Sequence, residues 1–300
     1  MNTTAASKPK KHTSPLTTFY LCVYNLLQFV GWLRIFIGFC LQMIQGEHAR
    51  RIMYVSVGKF VDEYTPDMIH GAAPSFSQYN PIVAEALTRL SRMHGYLGPL
   101  VVIFQTLAVF EVFHALFGLV QANPIMVALQ VASRIAIIWG VVEKYTVAAS
   151  SPWYGVLVFA WSLSEITRYP FYVNQLLNSP SFMALWSRYS FFIVLYPLGV
   201  LSEMSLIWLT LPKTNEWPWI NQTGWTQRDM IFLGALPIYV PGLFILYSHL
   251  WAARVKVLGS DFAGSKGRAM VDKKRDEYLS RFRKITEKTA ARSQTVPAAQ

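Results

Sequence analysis

The sequence predicts an all-α protein built into a membrane, with six transmembrane helices packed as one bundle. Three observations lead there. The chain has 300 residues, of which 53% are hydrophobic and only 14% charged, against about 25% charged in ordinary soluble domains. Its apolar residues gather into six long runs, and about 20 residues in a helix cover the roughly 30 Å hydrocarbon core of a bilayer. Its formal charge of +11 is concentrated at the two ends, as the positive-inside rule expects of a polytopic protein.

Residues 1–15 carry Lys8, Lys10 and Lys11 with Pro9 and Pro15, the composition of a disordered basic tail. Residues 16–44 form the first span, with Asn25, Gln28 and Arg34 inside it. This run is too long for the 7–15 residue apolar core of a cleavable signal. Cys22 and Cys40 both fall on this one helix, five turns apart, so they cannot bridge each other.

Residues 45–96 mix charges of both signs with Pro66, Pro74 and Pro81 and read as a structured loop on the membrane surface. Asn80-Pro81 looks like an N-cap followed by proline at the first helical position, opening a short helix through Met93. His48, His70 and His94 are scattered here without metal-ligand spacing. The second span, 97–120, places Gln105, Glu111 and His114 on a polar stripe, which reads mainly as hydrogen bonding between helices.

QANP at 121–124 is a tight turn into the third span, 124–142, where Gln130 and Arg134 stack at i,i+4. A buried arginine there needs an anion, with Glu165, Glu203 or a substrate phosphate as candidates. The fourth span, 153–175, holds Glu165 and Arg168 at i,i+3, a spacing that allows them to neutralise each other. The fifth, 186–211, is discussed below. Residues 212–229 are rich in Trp and Pro and contain the glycosylation acceptor Asn221-Gln222-Thr223. The sixth, 230–252, is expected to kink at Pro237 and Pro241. Residues 253–300 form a basic tail, helical near 270–289. Six spans place both tails on one side, the cytosol by the charge rule. The loop 45–96 is then lumenal.

The fifth span carries the chemistry. Ionisable groups at membrane depth are costly, so each one is a functional candidate. Tyr196 and Glu203 are seven residues apart, close to two full turns, and so share a face about 10 Å apart along the axis. Arg188 lies about 12 Å from Tyr196 toward the start of the same helix. Pro197 removes a backbone donor just after Tyr196, and Gly199 leaves room for a close approach. A phenol, a carboxylate and a guanidinium in this order suit acid–base chemistry on an anionic, lipid-like substrate. The basic charge comes with no nucleic-acid-binding motif. No metal or redox cofactor is called for.

Taken together, several blocks resemble the very-long-chain 3-hydroxyacyl-CoA dehydratases, also described as protein-tyrosine-phosphatase-like. The blocks are Gln130-Val-Ala-Ser-Arg134, WSLSEITRYPFY at 161–172, Arg188-Tyr189 and LYPLGVLSE at 195–203. YNLLQFVGW in the first span and FQTLAVFEVFHALFGLV in the second extend the likeness from about residue 16 to 258. The resemblance implies a six-span endoplasmic-reticulum enzyme that converts (3R)-3-hydroxyacyl-CoA to trans-2-enoyl-CoA in fatty-acid elongation. Its partners would be the elongase, the ketoacyl-CoA reductase and the enoyl-CoA reductase of that cycle. The family's catalytic Tyr and Glu fall on Tyr196 and Glu203, and other important residues on Gln130, Arg134, Arg188 and Gly199.

In that frame, Glu203 is expected as base and Tyr196 as acid, with the opposite assignment left open. Arg134 or Gln130 would polarise the thioester, and Arg188 with Arg168 would hold CoA phosphates. A catalytically inactive scaffold of the elongation complex is the alternative. A phosphatase is not supported. In a Cys-x5-Arg loop arginine stands six residues after the cysteine, and here Gln28 follows Cys22 and Gly46 follows Cys40. The enlarged loop 45–96 and an ending in PAAQ without a dilysine signal depart from the family pattern.

Overall fold

The structure, a computed structural model, describes residues 14–46, 75–213 and 224–294. Most of the expected basic N-terminal tail, His48, His70, the Asn221-Gln222-Thr223 acceptor and the PAAQ ending lie outside the described residues. Among those described, all regular structure is helical.

The helices begin where local chemistry says they should. Helix α1, Pro15–Gln45, opens on Ser14, whose hydroxyl accepts the Thr17 N–H at 3.1 Å. Helix α2, Pro81–Ser91, opens on Asn80, whose side chain accepts the Ile82 N–H at 3.0 Å. Each cap satisfies a donor the helix cannot satisfy itself, and proline next in line gives up no bond. Helix α2 does not end in a surface loop. It runs on through α3, Met93–Leu107, into α4, Val109–Leu116. Together these form one 36-residue helical stretch, Pro81–Leu116, apolar enough over part of its length to cross a bilayer. The helix that holds the second span therefore begins at Pro81, inside the segment expected as a loop. Helix α5, Pro124–Ile137, is capped by Asn123 and passes into a π-helical turn, Ile138–Val142.

After the short α6, Thr146–Ala149, comes α7, Pro152–Leu176. The expected fifth span is two helices, α8, Phe182–Ser190, and α9, Phe192–Thr210, interrupted at Phe191. Arg188 and Tyr196 thus sit on different helices. Helix α10, Gln227–Leu258, opens with a capping box between Thr226 and Asp229 and contains Pro237 and Pro241. The basic tail is helical over Ser265–Gln294, α11, longer than anticipated.

Among the described residues, five stretches are long and apolar enough to cross a bilayer: α1, α2–α4, α5 with its π turn, α9 and α10. The remaining expected span, α7, has 25 residues, long enough at 1.5 Å per residue, but it is more polar. Its location explains why. Helix α7 packs against α1, α2, α3, α8 and α9, so its polar groups meet protein and not lipid. Trp32, Ile35, Leu97, Val101, Leu157 and Leu206 close the core around it. Where α7 crosses α2, a Cβ added at Gly155 would lie 2.8 Å from the Leu90 carbonyl oxygen, so only glycine permits that approach. Large apolar side chains such as Phe19, Val30, Val194, Ile238 and Phe244 remain exposed, as lipid-facing positions require.

Candidate active site

Two carboxylates of neighbouring helices define the interior, and their surroundings differ. Glu165 on α7 is 1% exposed. It pairs with Arg134 of α5, and its other oxygen accepts the Arg168 Nε–H at 2.6 Å. Arg168 reaches on to Glu111 of α4 with a two-pronged contact, at 3.0 and 2.7 Å. The Tyr169 hydroxyl donates to Glu111 at 2.7 Å. Two arginines and two glutamates thus close a charge-balanced network across three helices. His114, expected beside Glu111, turns instead to the Tyr20 hydroxyl of α1 at 2.9 Å.

Glu203 of α9 meets no arginine directly. Its Oε1 accepts the Trp161 Nε1–H at 3.3 Å, and its Oε2 accepts the Tyr239 hydroxyl at 3.0 Å. Both donors are neutral and arrive from other helices, α7 and α10. The Arg134 guanidinium lies over the Trp161 ring, 5.1 Å from its centroid, and its charge reaches Glu203 from there. Arg134 therefore stands between the two carboxylates, bonded to one and only electrostatically felt by the other.

Tyr196 and Glu203 lie on the same face of α9, as the seven-residue spacing requires, and the Glu203 charge acts on the Tyr196 phenol. Gly199 lies between them along the helix. It is buried, yet a Cβ built on it would meet nothing within 4 Å. That face of α9 borders open space at Gly199. Gln130 is exposed on α5 and Arg134 half-buried. Arg188 on α8 is half-buried and makes no ion pair among the described residues. Its guanidinium is free to meet an anion. Arg168, expected alongside it, is differently placed: its side chain is 11% exposed and held by Glu111 and Glu165.

A separate cavity of about 940 Å³ runs between α9 and α10 past Leu201, Trp208, Gly234 and Pro237. Tyr196, Glu203 and Tyr239 are not among its lining residues. His94, the one expected loop histidine among the described residues, is buried against Glu143 at 2.8 Å.

Residues 105–260 match the family model described as "Protein tyrosine phosphatase-like protein, PTPLA". This chain belongs to that family. The matched region holds every candidate named above, from Glu111 to Tyr239. Among relatives of this PTPLA-family chain, the "Probable very-long-chain (3R)-3-hydroxyacyl-CoA dehydratase" of Schizosaccharomyces pombe is 39% identical over 155 residues, covering 51% of this chain and 71% of the relative. The "Very-long-chain (3R)-3-hydroxyacyl-CoA dehydratase 2" of Mus musculus is 29% identical over 257 residues, covering 84% and 85%. The "Very-long-chain (3R)-3-hydroxyacyl-CoA dehydratase PASTICCINO 2" of Arabidopsis thaliana is 36% identical over 162 residues, covering 51% and 73%. No solved structure matches.

Sequence reasoning missed Tyr239 and Trp161 as partners of Glu203. They stand 36 and 42 residues from it, and no local spacing links them. Their one visible signal was residue type: each carries a polar tip inside an apolar span, and such tips seek a partner when buried.

Proposed function

We propose that this chain is a very-long-chain (3R)-3-hydroxyacyl-CoA dehydratase of fatty-acid elongation, in which Glu203 is the base and Tyr196 the acid. The observation that carries the assignment is the surroundings of Glu203. A tryptophan N–H can only donate, so Glu203 Oε1 accepts its hydrogen bond. Its second oxygen accepts from Tyr239. Among the described residues no cation neutralises it by direct contact, so its lone pairs remain available to a proton next to the thioester. Glu165 has the same chemistry but is closed off by two guanidinium groups.

The reaction follows. Glu203 takes the proton from the carbon beside the thioester. The carbon–oxygen bond at C3 breaks, and Tyr196 gives its proton to the departing hydroxyl, which leaves as water. The trans-2-enoyl-CoA remains. Arg134, pinned by Glu165 and resting on Trp161, supplies positive potential for charge that builds on the thioester carbonyl, and Gln130 is the other candidate on its face. Arg188 holds a CoA phosphate. Arg168 contributes by fixing Glu165, and through it Arg134. The bare face at Gly199 takes the acyl segment between acid and base.

The setting we assign is the endoplasmic-reticulum membrane, with both ends cytosolic and the elongation-cycle enzymes as neighbours. The three-part division at residues 15 and 252 belongs to the same reading. Purified Tyr196→Phe and Glu203→Gln proteins, assayed separately for enoyl-CoA formation, test the mechanism. Each is expected to lose about 10²- to 10⁴-fold in kcat. Near wild-type turnover in either removes that residue from the proposed roles.

A further inference from the structure

A dehydration written with two groups leaves the enzyme unbalanced. After one turnover Glu203 holds the proton it took, and Tyr196 lacks the one it gave. The substrate's atoms balance, but the protein has moved one proton from a phenol to a carboxylate. A second turnover requires Glu203 to lose a proton and Tyr196 to regain one. Nothing in the reaction as described says by what path.

The surroundings of Glu203 narrow the choice. It has two hydrogen-bond partners, Trp161 Nε1 and the Tyr239 hydroxyl. An indole N–H has no lone pair in reach to accept a proton, whereas a phenol donates and accepts. Tyr239 is bonded to Glu203 Oε2 at 3.0 Å. Among the described residues it is the one group bonded to Glu203 that can pass a proton onward. It comes from α10, with its ring packed against the core around α7, so it is held in place from outside the α9 helix that carries acid and base. The elimination itself supplies the missing bridge, because the departing hydroxyl becomes a water beside Tyr196.

We infer that Tyr239 resets the site by relaying the proton from Glu203 to Tyr196 through the water that dehydration releases. Protonated Glu203 gives its proton to the Tyr239 oxygen. Tyr239 passes its own to the water, and the water passes one to the Tyr196 phenolate. Glu203 is again a carboxylate, Tyr196 again a phenol, and Tyr239 and the water are unchanged. Tyr239 is thus a positioning and relay residue that acts through Glu203. The inference rests on the assignment of Glu203 as base and Tyr196 as acid.

A relay has a kinetic signature that mere orientation of Glu203 lacks. The first turnover needs no reset, and every later one does. The test is rapid-quench measurement of enoyl-CoA formed by full-length Tyr239→Phe protein, compared with wild type under single-turnover and steady-state conditions. The ratio of first-turnover rate to steady-state rate is expected to rise at least about tenfold in the variant. Product should appear in a burst of one per active site. Tyr239→His, which can again accept and donate, is expected to lower that ratio toward wild type, and it serves as the second variant if Tyr239→Phe does not fold. An unchanged ratio in Tyr239→Phe overturns the relay, whether both rates hold or both fall together. No recovery in Tyr239→His overturns it as well. A fast first turnover in Glu203→Gln would instead overturn the base assignment, which the Tyr239 ratios do not address.

Discussion

Glu165 and Glu203 are the same residue type, borne by adjacent helices that pack against each other, and they have opposite fates. Glu165 lies at the centre of a balanced cluster in which each oxygen faces a guanidinium. Glu203 faces an indole N–H and a phenol. A buried charge must be paired or it destabilises the fold, and α5 and α7 join to pair Glu165. Neutral donors hold a carboxylate in place without quenching it as a base. The contrast separates a carboxylate that holds helices together from one that does chemistry. It also shows why counting intramembrane charges is not enough to find a site.

The sharpest way to break the contrast is to neutralise each carboxylate in turn. Glu203→Gln should cost about 10²- to 10⁴-fold in kcat while the protein stays folded and monodisperse. Glu165→Gln should do the reverse in kind. It leaves Arg134 beside a neutral amide and Arg168 with Glu111 alone, and a broken buried pair costs about 3–5 kcal/mol of stability. Thermal unfolding in detergent alongside the activity assay checks both. If Glu165→Gln keeps its stability, or Glu203→Gln loses it, the division of labour is wrong.

A smaller effect is expected where the α9 face is left open. Gly199→Leu meets no neighbouring atom within 4 Å of its Cβ, so stability should hold. The new side chain nonetheless fills the space between Tyr196 and Glu203, and displacement of reacting groups by an ångström can cost about 10²-fold. The expected outcome is that order of loss in kcat/KM at unchanged unfolding temperature. Arg188→Ala should act on binding alone, raising KM for the CoA ester about tenfold with kcat unchanged, the scale of one charge-assisted hydrogen bond. Arg168→Ala, by contrast, should behave like Glu165→Gln, and a KM effect in a stable Arg168→Ala protein would return Arg168 to the phosphate site.

The smallest effect lies outside the membrane. The Ser265 N–H bonded to the Asp261 carboxylate holds its pKa below the usual value, with the Ser265 hydroxyl assisting. A depressed carboxylate lends stability above its unfolded value of about 3.9, and that stability fades as pH falls through the lower folded value. Hydrogen exchange at the Ser265 amide should accelerate across that window, and an Asp261→Asn variant should show no such step.

Much of this protein was written in the order of its residues. The α class, the membrane setting, the Asn80 cap, and the shared face of Tyr196 and Glu203 all follow from interactions within one helix, where spacing alone sets who is near whom. The sequence could even offer Glu165 to Arg168, since they are one turn apart. Tertiary structure alone decided the rest. It gave Arg134 to Glu165 and not to Glu203, it took Arg168 into the same cluster, and it brought Trp161 and Tyr239 to Glu203 across 42 and 36 residues. The reason is physical. In lipid a polar side chain takes its partner from whichever helix packs beside it, and which helices are neighbours depends on packing across the whole bundle, a property that no single segment encodes.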